Sequence, residues 1–137
     1  MRIYIAGKLG TRGEKELLER VDSLCKSLGF DTFLPHRDVG LVKDINDVER
    51  IFRGDIIEGF RDCGLIIAVL DGLHVGAGTA WELGYAYSKG IQAIGLKTDE
   101  PVSDALDYLS AILIGSMKIV KSFEELKGSL DKFKKKS

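Results

Sequence analysis

The sequence predicts one α/β domain, in which a five-stranded parallel sheet carries helices on both faces. Short apolar runs alternate five times with segments whose apolar residues recur at helical spacing. The run LIIAVLD at 65–71 is continuously apolar, which is typical of a parallel strand buried on both faces. The chain has 137 residues, a length usual for one domain, and no internal repeat or linker divides it. We therefore expect a single domain over 1–137.

The five predicted strands are bounded by glycine, proline or polar residues. They span 2–7, 31–35, 65–71, 91–96 and 117–121. In a parallel sheet, ligands bind beyond the carboxyl ends of the strands. The loops 7–13, 35–46 and 71–78 follow the first three strands, so the sequence predicts the binding site there.

The predicted helices lie between and after these strands. They cover 14–28, about 47–62, the segment from GAGTAWELGYA to Lys89, 102–113 and the stretch after Ser122. The first is the clearest, because its apolar residues form one stripe that Gly29 ends. Ser122 and Glu125 match the spacing of a capping box at the start of the last helix.

The composition excludes several classes of partner. Lysine and arginine total 20 against 21 acidic residues, so no basic field predicts binding to a nucleic-acid polymer or an acidic membrane surface. No apolar stretch approaches the length of a membrane span and no signal peptide is visible, so we expect a cytoplasmic protein. Cys25 and Cys63 lack metal spacing and are expected to be free, buried thiols. No metal or cofactor is expected.

The loop after the first strand, GKLGTRG, is a candidate anion or sugar site. It lacks the spacing of a phosphate-binding P-loop, but its backbone amides with Lys8 or Arg12 can hold one phosphate or sugar hydroxyls. The alternative is a flexible surface loop. His36 and Asp71 end the second and third strands. A receiver domain also has an aspartate at the end of the third strand, but it needs an acidic pair after the first strand, where this chain has Gly7 and Lys8.

Two carboxylates depart from the pattern of their surroundings. Asp55 lies on or beside the apolar stripe of the second helix, so it is either an edge residue reaching water, a partner of a backbone donor, or functional. Glu82 follows Thr79 at the spacing of a capping box, which favours a structural role. The same helix begins at the carboxyl end of the most buried strand, where its positive end keeps a carboxylate ionised. An ionised, positioned glutamate suits covalent glycosyl chemistry.

Four segments carry a family resemblance in their order and spacing. They are IYIAGKLG, FLPHRD, GDIIEGFRDCGLIIAVLDG and GTAWELGYAYSKG. Together they resemble the nucleoside 2-deoxyribosyltransferase family over nearly the whole chain. The resemblance implies a flavodoxin-like three-layer sandwich and cleavage of the N-glycosidic bond of a 2′-deoxynucleoside or its 5′-monophosphate. It implies that Glu82 is the nucleophile, that Asp55 assists proton transfer and that Tyr4 lies near the sugar and the nucleophile.

The resemblance also implies a substrate-binding set and a homodimer or larger homo-oligomer. The substrate-binding residues are expected to be Gly7, Lys8, Leu9, Arg12, His36, Asp71, Gly76, Gly78 and Ser110. In the family a segment of a neighbouring chain completes the pocket, and LSAILIGS matches it, so Ser110 is expected to contact the partner's ligand.

Two branches of the family compete. Transferases often have an acidic residue where this chain has Gly76, and classic bacterial ones end in tyrosine where it ends in FKKKS. The deoxynucleoside 5′-monophosphate hydrolases have a serine matched by Ser110 and a histidine matched by His36, and Arg12 can supply the cation of their first loop. The sequence therefore predicts a monophosphate N-hydrolase. The alternatives are a base-exchanging transferase and a nucleotide-binding module without turnover.

Overall fold

A five-stranded, all-parallel sheet forms the centre of the computed structural model, which describes residues 1–136. Its strands are β1 Arg2–Ala6, β2 Asp31–Phe33, β3 Cys63–Val69, β4 Gln92–Leu96 and β5 Lys118–Val120. Their spatial order is β2-β1-β3-β4-β5. β1 therefore lies between β2 and β3, and Tyr4 of β1 is paired with Phe33 on one side and Ile66 on the other.

The helices alternate with the strands, as the sequence predicts. They are α1 Arg12–Ser27, α2 Pro35–Asp38, α3 Val48–Phe52, α4 Ala77–Ser88, α5 Ala111–Ser116 and α6 Phe123–Lys136. Two 3₁₀ turns, Ile45–Asp47 and Val102–Asp104, lie in the connections, and α3 continues into a π-helical turn at Arg53–Glu58. Across residues 1–136 no helix is both long enough and apolar enough to cross a membrane.

Each face of the sheet is covered by helices, which confirms the predicted three-layer, flavodoxin-like arrangement. On one face, Ile3 and Ile5 of β1 pack with Leu18 of α1 and Leu126 of α6. The opposite face carries Tyr4 and other apolar strand residues, which pack against α4 and the π-helical turn. Because side chains alternate along a strand, residues 3 and 5 of β1 serve one layer and residue 4 the other.

Two predicted connections differ from the structure. The predicted helix over 102–113 is wrong, since its first residues form the 3₁₀ turn Val102–Asp104 and only its last residues are α-helical, in α5. The hydroxyl of Ser110 accepts a hydrogen bond from the amide of Ile112, and this N-cap starts α5 there. The predicted polar loop at 35–46 contains α2, which begins with Pro35 at a position that needs no amide hydrogen.

The second predicted helix, 47–62, is interrupted at the π-helical turn. There the amide of Gly59 donates to the carbonyl of Gly54, five residues back, at 2.9 Å. Gly59 lies directly beneath the aromatic side chains of β1 and β2. A Cβ at this position would lie 2.7 Å from the Phe33 ring and 2.8 Å from the Tyr4 ring. Glycine is therefore required for the turn that carries Asp55 to approach Tyr4 this closely.

We expect Gly59→Ala to destabilise the fold by about 1–3 kcal/mol, because the added methyl group overpacks the space beside Tyr4 and Phe33. The matched control is Gly84→Ala within α4. A Cβ there meets no atom within 4 Å, so alanine should stabilise the helix by up to about 1 kcal/mol. Urea unfolding of both variants measures the difference. Equal effects of the two substitutions would contradict the close packing of Gly59.

Candidate active site

A cavity of about 450 Å³ lies at the carboxyl edge of the sheet. The end of β1, the start of α1, the π-helical turn and the start of α4 all contribute to its wall. Its lining residues are Ile5, Ala6, Gly7, Lys8, Leu9, Gly10, Glu14, Leu18, Pro35, Asp55, Gly76, Gly78, Thr79 and Glu82. Parallel strands bring these separate loops together at one edge, so the predicted location of the site is the observed location of the cavity.

A second, apolar cavity of about 510 Å³ adjoins the first. Its walls include Phe52 and Trp81, two aromatic side chains that are 47% and 51% exposed. Asp55, Gly78 and Glu82 line both cavities. The first cavity, which carries the charged side chains Lys8 and Glu14, is the polar compartment, and the second is the apolar compartment. The two carboxylates therefore stand at the boundary between them.

Glu82 is held by a hydrogen bond that the buried Tyr4 hydroxyl donates to its carboxylate. Burial raises the pKa of Glu82 to about 7; the Tyr4 hydrogen bond opposes this rise and the nearby Asp55 adds to it. Burial, followed by the charge of Glu82, raises the pKa of the Tyr4 hydroxyl, which therefore remains a donor. The positive end of α4 was expected to keep Glu82 ionised, but burial outweighs this effect and raises the pKa of Glu82.

The capping interpretation of Glu82 is wrong. α4 begins at Ala77 with Gly76 as its N-cap, and no side chain caps it. Thr79 is therefore already in the first turn, buried, and Glu82 lies one turn further along. The Glu82 carboxylate accepts no capping hydrogen bond from the start of α4, and the Glu82 side chain lines the cavity instead.

Asp55 lies in the π-helical turn, with one carboxylate oxygen buried and without a partner among the described residues. Burial raises its pKa to about 6, and Arg50 opposes the rise. No backbone donor bonds to it in residues 1–136, so the expected structural alternative of a backbone hydrogen bond is not observed. An unpaired buried carboxylate oxygen that lines a cavity is available to a ligand.

The loop after β1 supplies the far end of the polar compartment. Gly7 permits β1 to pack on α1, since a Cβ there would lie 2.6 Å from Leu18. The Lys8 ammonium group lies 3.5 Å from the carboxylate of Glu14. Glu14 also accepts a hydrogen bond from the amide of Thr11, whose hydroxyl accepts from the amide of Glu14. This capping box starts α1 at Arg12.

The structure does not bring Arg12 or His36 into the cavity. The Arg12 side chain is 93% exposed and pairs with Glu16, one turn along the outer surface of α1. Nε2 of His36 lies 2.9 Å from a carboxylate oxygen of Glu19, while Nδ1 is buried without a partner among the described residues. His36 is adjacent to Pro35, which does line the cavity, but His36 itself does not.

Asp71 and Ser110 also lie away from the cavity in this chain. Asp71 accepts hydrogen bonds from the amide and the hydroxyl of Thr98, and so ties the loop after β3 to the loop after β4. Ser110 caps α5 and lines a separate groove between α4 and α5. Its contact with a partner's ligand, and the homodimer itself, stay predictions.

Glu14 and the apolar compartment were not predicted from the sequence. Glu14 was detectable, because TRGE at 11–14 has the same T-x-x-E spacing as TAWE at 79–82. Phe52 and Trp81 come from different helices, and their edge-to-face contact at 5.9 Å depends on tertiary packing. No cluster of side chains suited to a metal ion occurs in the part of the chain that the structure describes.

We expect Glu82→Gln to stabilise the protein at high pH. A carboxylate whose pKa rises from 4.5 to about 7 on folding loses stability as pH increases through that interval, whereas glutamine does not titrate. The free energy of unfolding of the variant should exceed that of the wild type by about 1–3 kcal/mol at pH 8. This difference should shrink towards pH 5. Urea unfolding at both pH values measures it. Glu124→Gln, at an exposed position of α6, should show no such pH dependence, and a similar response of both variants would contradict the burial of Glu82.

Comparisons with known proteins agree with this fold. Residues 3–127 match the family model described as nucleoside 2-deoxyribosyltransferase. A conserved protein from Enterococcus faecalis V583 has 27% identity, covering 96% of this chain and 98% of its own, with a TM-score of 0.77. No curated protein matches.

Two further solved structures have the same fold at lower identity. A 2-deoxyribosyltransferase from Bacillus psychrosaccharolyticus has 17% identity and a TM-score of 0.76, covering 93% of this chain and 90% of its own. A CMP N-glycosidase from Clostridium botulinum has 19% identity and a TM-score of 0.60, covering 97% and 99%. The family model spans most of the chain, and the chain therefore belongs to the nucleoside 2-deoxyribosyltransferase family.

Proposed function

We propose that the chain cleaves the N-glycosidic bond of 2′-deoxynucleosides or their 5′-monophosphates, with Glu82 as nucleophile and Asp55 as general acid and base. The observation that carries the proposal is the placement of both carboxylates at one boundary between a polar and an apolar compartment. The family supports this class of bond, and the names of the two solved relatives describe enzymes that act on it.

The two compartments match the two halves of such a substrate. A nucleobase is flat and largely apolar on its faces, and it fits the apolar compartment against Phe52 or Trp81. The sugar, with its hydroxyl groups, fits the polar compartment. In this orientation the C1′ atom lies at the boundary, beside the Glu82 carboxylate.

The first chemical step is displacement of the base by Glu82. A carboxylate oxygen forms a bond to C1′ as the bond from C1′ to the base nitrogen breaks, and the electron pair leaves with the base. Asp55 in its protonated form gives its proton to the departing base. With a pKa of about 6, Asp55 keeps a protonated fraction near neutral pH that an ordinary aspartate would not have.

The second step releases the sugar from Glu82. Water, or a second base in the transferase alternative, attacks C1′ and the ester bond to Glu82 breaks. Asp55, now ionised, accepts the proton of the attacking group. Two successive displacements retain the configuration at C1′.

Base release measures the proposed activity directly. A panel of deoxynucleosides and their 5′-monophosphates is incubated with the protein, and free base is quantified by chromatography. Glu82→Gln should abolish release, and Asp55→Asn should lower it by about 10²- to 10⁴-fold, because general acid help is lost. Glu49→Gln, at an exposed glutamate of α3, is the matched control and should retain full activity.

The outcomes separate the alternatives. Release that occurs without a second base indicates hydrolysis, and release that requires one indicates transfer. Unchanged activity of Glu82→Gln would refute the nucleophile. Ligand binding without any release would indicate the nucleotide-binding module instead.

The pH dependence tests the role of Tyr4. Since Glu82 must be ionised and Asp55 protonated, kcat/KM should be bell-shaped with limbs near pH 6 and pH 7, which belong to the coupled pair. Tyr4→Phe removes the hydrogen bond that opposes the rise in the pKa of Glu82, so the upper limb should move to higher pH and the maximum should fall.

Tyr85→Phe is the control, because it keeps its ring contacts with Phe60 and Trp81 and should leave both limbs of the pH profile in place. Identical profiles for the two variants would exclude this role for Tyr4.

A further inference from the structure

We infer that Glu14 is a specificity-determining residue that selects substrates with an uncharged 5′ end, so that 2′-deoxynucleosides are preferred to their 5′-monophosphates. The inference rests on the proposed function, and it names the substrate class of that same cavity. It runs against the preference for monophosphates predicted from the sequence.

The position of the 5′ end follows from the two compartments. With the base in the apolar compartment and C1′ beside Glu82, the rest of the sugar extends into the part of the polar compartment that the two do not share. That part is formed by the loop after β1 and the start of α1, where Lys8, Gly10 and Glu14 line the wall. The 5′ substituent therefore lies closest to these residues.

Glu14 already occupies two of the groups that a phosphate at this position would use, one backbone amide and the lysine. One of its carboxylate oxygens accepts the amide hydrogen of Thr11 at 2.9 Å, at the start of the 16-residue helix α1. The other lies 3.5 Å from the Lys8 ammonium group. Backbone amides at a helix start and a lysine are the usual partners of a bound phosphate, and here the Glu14 carboxylate takes the place of a phosphate at the Thr11 amide and at Lys8.

The charges of the cavity wall point the same way. Among the described lining residues there are three carboxylates, those of Glu14, Asp55 and Glu82, and one cation, Lys8. Arg12, the next cation along the loop, faces solvent and pairs with Glu16. A phosphate monoester carries a charge of about −1.5 to −2 at neutral pH, so it would enter a wall with no unpaired cation. A 5′-hydroxyl instead donates a hydrogen bond to a carboxylate such as that of Glu14.

The test compares kcat/KM for one deoxynucleoside and its own 5′-monophosphate. The wild type should prefer the nucleoside. Glu14→Gln keeps an oxygen for the Thr11 amide but removes the charge and leaves Lys8 unpaired, so the ratio should shift towards the monophosphate by about tenfold or more. Glu16→Gln removes a charge two residues away that lies outside the cavity, and its ratio should equal that of the wild type.

Lys8 provides a second check on the cause of the shift. If the freed lysine holds the phosphate, adding Lys8→Met to Glu14→Gln should remove most of the gain for the monophosphate. A wild-type preference for the monophosphate would overturn the inference, as would a ratio that Glu14→Gln leaves unchanged in a protein whose thermal unfolding is unaltered. The wild-type ratio tests the predicted preference for the nucleoside even if the variant does not fold.

Binding separates this inference from the proposed function. If the wild type releases no base, the proposed chemistry fails, but calorimetric titration of the same two compounds still measures the preference. Tighter binding of the nucleoside, reversed or cancelled by Glu14→Gln, supports the role of Glu14. Equal or tighter binding of the monophosphate to the wild type, or binding of neither compound, overturns it.

Discussion

The site depends on one hydrogen bond between the centre of the sheet and a helix, the bond from Tyr4 to Glu82. Tyr4 occupies the middle of β1, where its ring stacks between Phe33 at 5.3 Å and Phe60 at 4.2 Å. This packing fixes the position of the hydroxyl oxygen, which donates its hydrogen bond to Glu82. Burial disfavours the ionised form of Glu82, and the hydrogen bond from Tyr4 partly offsets this effect. The carboxylate is therefore held in one place while its pKa lies near neutral pH.

The second carboxylate depends on an irregular backbone. An α-helix continued from α3 would carry Asp55 and Gly59 in a different register, whereas the π-helical turn inserts one residue and brings Gly59 under Tyr4. Such turns are less favourable than regular helix and occur frequently at functional sites. Here the turn places Asp55 beside the same cavity as Glu82. The two carboxylates thus come from separate elements that both pack around the ring of Tyr4.

The sheet was predictable because its strands are apolar runs bounded by breakers, and hydrophobic pattern is a local property. The caps were not. The pattern T-x-x-E occurs at 11–14 and at 79–82, yet only the first forms a capping box, because Gly76 starts α4 three residues before Thr79. Glu82 was correctly placed near the crevice, but the direction of Arg12 was not foreseen, since a residue at a helix start can face either the cavity or solvent. Neither pattern nor charge encodes that choice.

The proposed chemistry and the proposed choice of substrate have a common physical origin. A cavity that excludes enough water to raise the pKa values of Asp55 and Glu82 also penalises any other charge that enters it. An anionic substrate would add negative charge next to two carboxylates, and it would raise their pKa values further, which lowers the fraction of ionised Glu82. An uncharged nucleoside brings no such penalty. The same dehydration that would suit Glu82 and Asp55 to the proposed roles of nucleophile and acid therefore favours neutral substrates, unless a cation is released within the cavity to balance the charge.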